Sequence, residues 1–144
     1  MRSAAVTSSR QIVATKPDTT EAGSAPDMRA RIYHICLPAR WQEQSIQPVF
    51  IDPSLEHEGF IHCSTKEQLD ATLARYFKGI PELTILEISP AEVAGTLRFE
   101  PAPHSQERFP HVYGPIPRSA ILRTHRFDWS LPARQIIDAT DSSA

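Results

Sequence analysis

The stretch Glu58-Gly59-Phe60-Ile61-His62-Cys63-Ser64 places an acid, an imidazole, a thiol and a hydroxyl inside one short apolar run. Side chains of a strand alternate between faces. A strand here would therefore set Glu58, Phe60, His62 and Ser64 on one side and Gly59, Ile61 and Cys63 on the other. The second side is suited to a core, whereas the first is too polar to exist for packing alone. The run thus predicts a sheet buried behind Ile61 and Cys63, with a site in front of Glu58, Phe60 and His62.

Downstream of this run, Ser64 with Glu67 three residues on reads as a capping box opening a helix over 65–77. Leu69, Leu73, Tyr76 and Phe77 recur at helical spacing, and Gly79 and Pro81 end the pattern. Leu83 to Ile88 reads as a central strand, Ser89-Pro90-Ala91-Glu92 as the start of a short helix to Ala94, and Leu97 to Glu100 as another strand. After a proline-marked loop over 101–106 comes Phe109-Pro110-His111-Val112-Tyr113-Gly114-Pro115, read as a turn-rich segment outside regular pairing. Ala120 to Phe127 is the last predicted strand.

Upstream, Arg31 to Leu37 reads as the first strand, with His34 on the face of Ile32 and Cys36. Pro38 opens a helix from Ala39 to Ile46 with Trp41 and Ile46 inward, and 49–57 is a connection turned by Asp52-Pro53. Short strands and two or three short helices in mixed order predict an α+β domain of small, bent, mostly antiparallel sheets around a cleft. The expected boundaries are an extension over 1–28, one domain over 29–128 and a tail over 129–144 in which Trp129 and Leu131 dock.

A chain of 144 residues, 40% hydrophobic and 22% charged, suits one domain with a modest core. Its formal charge of -2 provides no long-range attraction for nucleic acid or an anionic membrane. No stretch is apolar enough to span a bilayer, and the amino terminus lacks a secretory core. The expected partner is a small-molecule substrate and the expected location cytoplasmic; composition is silent on oligomeric state. Arg2, Arg10 and Lys16 precede the first acid, Asp18, in a segment rich in Ser, Thr and Ala. That segment reads as a plain extension, with a mitochondrial transit peptide as the alternative. Cys36 and Cys63 lie in apolar runs and read as reduced thiols, a disulfide between them being the alternative.

His34, His62 and His111 come from separate apolar or turn-rich runs, and imidazole is the side chain suited to proton transfer near neutral pH. The catalytic candidates are His62 and His111 as proton donor and acceptor, Tyr113 on a developing oxyanion and Glu58 orienting an imidazole. Gly114 would allow close backbone approach, and Arg118, which flanks the turn segment together with Arg108, would bind an anionic group. Three histidines and an acid are also a zinc-like set, but no helical pair of histidines exists and no metal is expected. Cys63 points away from His62 along a strand and belongs to packing. His57, His104 and His125 read as surface groups, and no phosphate-cradling glycine pattern is present.

Ile32-Tyr33-His34-Ile35, Leu55, the run 58–64, Gln68, Thr72, Phe77, Leu97-Arg98-Phe99-Glu100 and the run 109–115 together resemble the bacterial and fungal "domain of unknown function 952" family, over about 31–127. The resemblance implies an ADP-ribosyltransferase-like fold whose cleft, in better-known relatives, holds a nicotinamide dinucleotide. It makes NAD a candidate cofactor and Tyr33 and His34 candidate nicotinamide contacts. The later acid that orients the ribose in such proteins has no counterpart in Ile121 to Arg126. Lyase, isomerase, cyclase or hydrolase chemistry therefore stands beside NAD-linked transfer, and a noncatalytic binding domain is the alternative to both.

Overall fold

Runs of β-branched and leucine residues bounded by Pro and Gly form most of the strands in the computed structural model, which describes residues 29–102 and 105–142. In chain order the elements are β1 (Ile32–Cys36), α1 (Pro38–Gln44), β2 (Val49–Phe50), α2 (Pro53–Glu58), β3 (Ile61–His62) and β4 (Ser64–Thr65). They continue with α3 (Leu69–Tyr76), β5 (Leu83–Ile88), β6 (Leu97–Pro101), β7 (Arg108–Val112), β8 (Ile116–Pro117), β9 (Ile121–Phe127) and α4 (Ala133–Ser142). The first sheet has the order β9-β5-β1-β4, the second β3-β7-β6, and β2 pairs with β8 in a ribbon. Among the described residues every strand pairing is antiparallel, so the expected α+β class with antiparallel sheets is what forms.

The first sheet is covered on both faces. One face sends Ile32, Cys36, Leu86 and Ile88 into a cluster with Ile61, Leu97 and Val112 of the second sheet and Phe50 and Ile116 of the ribbon. The other packs Tyr33, Ile35, Leu83, Ile85 and Phe127 against Leu69 and Leu73 of α3 and Ala133 and Ile137 of α4. Burying such aliphatic side chains stabilises by about 1.5–3 kcal/mol each. The second sheet sends only its inner face into this apolar core.

Local structure departs from the sequence expectations at several points, each with a cause. The run 58–64 is not one strand: Glu58 ends α2, Gly59 caps it at φ 91 and the strand begins at Ile61. That left-handed value suits glycine, which has no Cβ to collide with its own carbonyl. The connection over 49–57 holds β2 and α2, because Asp52 accepts from Ser54 N at 3.0 Å and Pro53 sits at the first helical position. Ser64 is not the cap. Thr65 and Gln68 form the capping box, with Gln68 Oε1 accepting from Thr65 N at 3.0 Å, while buried Ser64 bonds Thr72 Oγ1 at 3.2 Å.

Ile46 was expected inward but is 84% exposed, since α1 ends at Gln44 and packs through Trp41 against Phe50. The segment 109–115 is not a free turn: its first half is β7, the middle strand of the second sheet. Pro110 is tolerated there because its carbonyl accepts from Cys63 N at 3.0 Å. Its missing N–H faces the same side, where β3 gives way to β4, so no bond to β6 is lost. The segment expected as a tail carries α4, whose first amides, Ala133 N and Arg134 N, donate to the Asp70 carboxylate at 2.7 and 3.3 Å. Trp129 docks as expected, with Nε1 donating to Ile80 O at 2.6 Å and its ring 4.9 Å from Phe127, whereas Leu131 stays 46% exposed and Ala133 and Ile137 supply the buried contacts.

The expected extension over 1–28 and His104 lie outside the described residues. Both cysteines are buried free thiols, and burial, assisted by the Asp52 charge, pushes Cys36 up to about 12 and Cys63 well above the usual thiol range. Among the described residues no helix is long and apolar enough to cross a membrane.

Candidate active site

Pairing in the second sheet sets His62 of β3 opposite His111 of β7, and His111 opposite Arg98 of β6. Cross-strand partners share a face, so these three form a row across the outer side of the sheet. Alternation adds Tyr113 and Glu100 to the same face, while Val112, Leu97 and Ile61 point into the core. Phe60 leans over this row: its ring stacks on His111 at 4.1 Å and stands 4.7 Å from His62 and 5.3 Å from Tyr113.

Each imidazole has its own carboxylate. His62 Nε2 pairs with Glu58 Oε1 at 3.0 Å, and His111 Nδ1 pairs with Glu100 Oε1 at 2.9 Å. Tyr113 O–H donates to the same Glu100 oxygen at 2.6 Å. The two rings lie 5.5 Å apart, near perpendicular at 78°. Burial raises the Glu100 carboxyl, but the hydrogen bonds from Tyr113 and His111 outweigh it and hold the acid below its ordinary range. The bond to Glu100 in turn raises the Tyr113 phenol.

Among the described residues, Ser54 Oγ is the one buried side-chain polar atom without a partner. Among the described residues no hydrogen bond falls on His62 Nδ1 or His111 Nε2, and the two side chains are 50% and 6% exposed. The site thus presents two imidazoles anchored at one nitrogen and open at the other.

A second layer holds the first. His34 lies behind β3, with Nδ1 on the His62 carbonyl at 2.5 Å and Nε2 on Asp52 Oδ1 at 3.2 Å. A carbonyl and an ionised carboxylate only accept, so His34 faces an acceptor at each ring nitrogen. Burial raises the Asp52 carboxyl, but the hydrogen bond and charge of His34 with the Ser54 amide dominate and hold it far below the usual range. Because Asp52 also caps α2, this pair ties the strand bearing His62 to the helix that ends in Glu58. Among the described residues no group of three His, Cys, Asp or Glu side chains is arranged to hold a metal ion.

The family model for DUF952, described as a protein of unknown function, matches residues 35–124, from β1 to β9. The chain belongs to the DUF952 family. No curated protein matches it. The X-ray structure of protein CC0527 from Caulobacter crescentus is similar at 30% identity and a TM-score of 0.63, over 72% of this chain and 90% of that one. The solution NMR structure of CC0527 agrees at 30% identity and a TM-score of 0.63, over 76% and 95%.

Of the residues singled out in this DUF952 chain, Glu58, Phe60, His62, His111 and Tyr113 come together on one face. The others do not join them. Tyr33 is buried under α3 and α4 in the opposite core cluster, as alternation along β1 requires once His34 faces the second sheet. His34 is buried behind the row rather than in it. Arg118 stacks on Trp41 at 5.0 Å and donates to Ser45 O at 3.1 Å, which occupies it away from the histidines. At Gly114 a side chain would come 3.4 Å from Thr96 Cγ2, so the close approach there is to Thr96, just before β6.

Two acids of this DUF952 domain escaped sequence reasoning. Glu100 was read only as the end of a strand, and the signal that would have found it is the register Arg98 to His111. Glu87 is fully buried and accepts from His125 Nε2 at 2.7 Å and Arg31 at 2.8 Å, so His125 is a core group rather than the expected surface one.

Proposed function

We propose that this chain is an acid–base enzyme acting on a small organic molecule laid across the outer face of the second sheet. The observation that carries the reading is the pair of imidazoles 5.5 Å apart, each locked to a carboxylate at one nitrogen and open at the other. A neutral ring oriented this way keeps its proton on the nitrogen that faces the carboxylate and turns a lone pair outward, which is a general base. Once it has taken a proton, the same ring is a general acid. One open imidazole would remove a proton from one substrate atom while the other, protonated, delivers one to a second atom. That division serves isomerisation, elimination, ring closure or hydrolysis with water as reactant.

Tyr113 enters this scheme as a positioning group. Its hydroxyl is committed to Glu100, so it orients the carboxylate that holds His111 and donates to a substrate oxyanion only if that bond is released. An ADP-ribosyltransferase-like reading with NAD-linked transfer has less support, because Tyr33 and His34, its nicotinamide contacts, are both buried away from the row.

The test does not need the substrate. Long-range 1H–15N NMR of the imidazoles at high pH should find His62 as the Nε2–H tautomer and His111 as the less common Nδ1–H tautomer. Reversed tautomers at both positions would sink the assignment. In a metabolite turnover screen by mass spectrometry, a converted compound should lose about 10²–10⁴-fold in rate with His62→Ala or His111→Ala. Full conversion by both variants, or binding without any turnover, would move the chain to the ligand-binding class.

A further inference from the structure

Arg98 completes the row that begins with the two histidines. It stands opposite His111 in the register, as His111 stands opposite His62, and it is exposed on the same face. Its guanidinium donates to the Leu97 carbonyl at 3.0 Å and has no carboxylate within ion-pair distance among the described residues. Arg31, Arg40, Arg123, Arg126 and Arg134 by contrast each have an acidic partner. Glu100, two residues along the same strand, is not that partner. Its Oε1 is taken by His111 and Tyr113, although the Arg98 charge still helps hold the Glu100 carboxyl down and offsets part of the rise of the Tyr113 phenol.

The charges of this face are therefore unequal in availability. Both carboxylates are engaged by groups of the protein, and one cation is left over. Arginine offers five N–H donors in a planar fork, and the single bond to Leu97 leaves enough for bidentate contact with a carboxylate or phosphate. Glu58 and Glu100 each bond through Oε1 to a neighbouring side chain, so Arg98 is the charged group of this row that no side chain of the described residues holds.

We infer that Arg98 is the anion-binding subsite of this face, and that the substrate is a small molecule carrying a carboxylate or phosphate group. This deepens the acid–base reading and rests on it for the word substrate. The spacing sets the size of the molecule. Strands lie about 4.8 Å apart, so Arg98 and His62 are roughly 10 Å apart along the row, with His111 between them. The anionic group sits at one end, and the atoms that exchange protons lie within one to two strand spacings of it. Small organic acids and phosphate esters fit that span.

The experiment is a backbone 1H–15N NMR titration of the full chain at fixed chloride, with inorganic phosphate in one arm and acetate in the other. Wild type, Arg98→Gln and Arg98→Lys are compared. Shifts should cluster on Arg98, His111 and Tyr113. Arg98→Gln should weaken the anion at least five-fold, with Arg98→Lys in between, because an ammonium keeps the charge and loses the fork. The arm that binds more tightly tells phosphate from carboxylate chemistry. Shifts elsewhere, no saturable binding of either anion, or equal affinity in Arg98→Gln overturns the subsite. Arg98 is exposed, and an unchanged spectrum remote from β6 shows that the variant folds. Binding is read without turnover, so a failed titration leaves the histidine tautomers standing, and wrong tautomers leave the titration standing.

Discussion

Replacing Glu87 by alanine removes the acceptor at the centre of the first sheet. The carboxylate is fully buried, with His125 Nε2 at 2.7 Å, Arg31 at 2.8 Å and Arg123 Nε at 3.5 Å. Removing one partner of a buried ion pair costs about 3–5 kcal/mol, because the remaining charge or polar group stays dehydrated. Here the Arg31 and Arg123 side chains are 40% and 34% exposed and can turn toward water, whereas the His125 side chain at 3% cannot. The cost should then fall near the low end, about 3 kcal/mol, against a total stability of about 5–15 kcal/mol for a domain. Glu87→Gln keeps an acceptor for His125 and loses only the charge assistance, so it should cost about 1–2 kcal/mol. Changing Glu87 and His125 together to leucine leaves nothing unpaired between them, and the double variant should cost less than Glu87→Ala alone. Urea unfolding at pH 7 with an unchanged slope reads all three, and at a slope of about 2 kcal/mol/M the alanine variant should lose about 1.5 M in midpoint. A cost under about 1 kcal/mol for Glu87→Ala, or a double variant as damaging as the single, would refute the account of this network.

Asp52→Asn keeps a capping side chain but removes the charge opposite His34, and at pH 7 should cost about 1.5–3 kcal/mol in denaturant unfolding. Because the folded state holds the Asp52 carboxyl below its unfolded value, that stability is present above about pH 4 and is lost as pH falls toward the folded pKa. The gap between Asp52→Asn and wild type should therefore narrow on acidification below pH 4, and a gap that widens instead would contradict the pairing. Ile137 is fully buried between α4 and the first sheet, so Ile137→Ala should cost about 2–5 kcal/mol by thermal or urea unfolding, whereas a loss below 1 kcal/mol would mean that α4 is not part of the core.

What the sequence made legible was local. Ile32–Cys36, Leu83–Ile88 and Ile121–Phe127 were readable as strands because their composition, and for the first two a nearby Pro, need no partner to be recognised. The capping box slipped by one residue because Ser64–Glu67 and Thr65–Gln68 both fit its pattern, and burial of Ser64 beside Thr72 decides between them. Pro110 was misread as turn punctuation because its cost depends on which side of a strand lacks a neighbour, which only the pairing reveals. The Tyr33–His34 pair failed for a reason already in the sequence: adjacent strand residues face opposite ways, so both could not have lined one cleft.

The two histidine–carboxylate pairs repeat this contrast within the site. Glu58 and His62 are four residues apart, and the short link through Gly59 brings them together without the sheet, so their pairing was visible even though Glu58 belongs to a helix end. A contact of that kind forms on a connector, and both side chains remain about half exposed, at 51% and 50%. His111 and Glu100 are eleven residues apart on neighbouring strands, and nothing short of the β6–β7 register brings them together. The same register places His111 between two strands and under Phe60, which leaves its side chain 6% exposed. The non-local pair is therefore both the less legible and the more rigidly held, because one cause, sheet pairing, produces both properties. In an acid–base scheme His111 is then the fixed point of the geometry. His62, half exposed and fastened through a helix end and the buried His34–Asp52 pair, is the looser of the two.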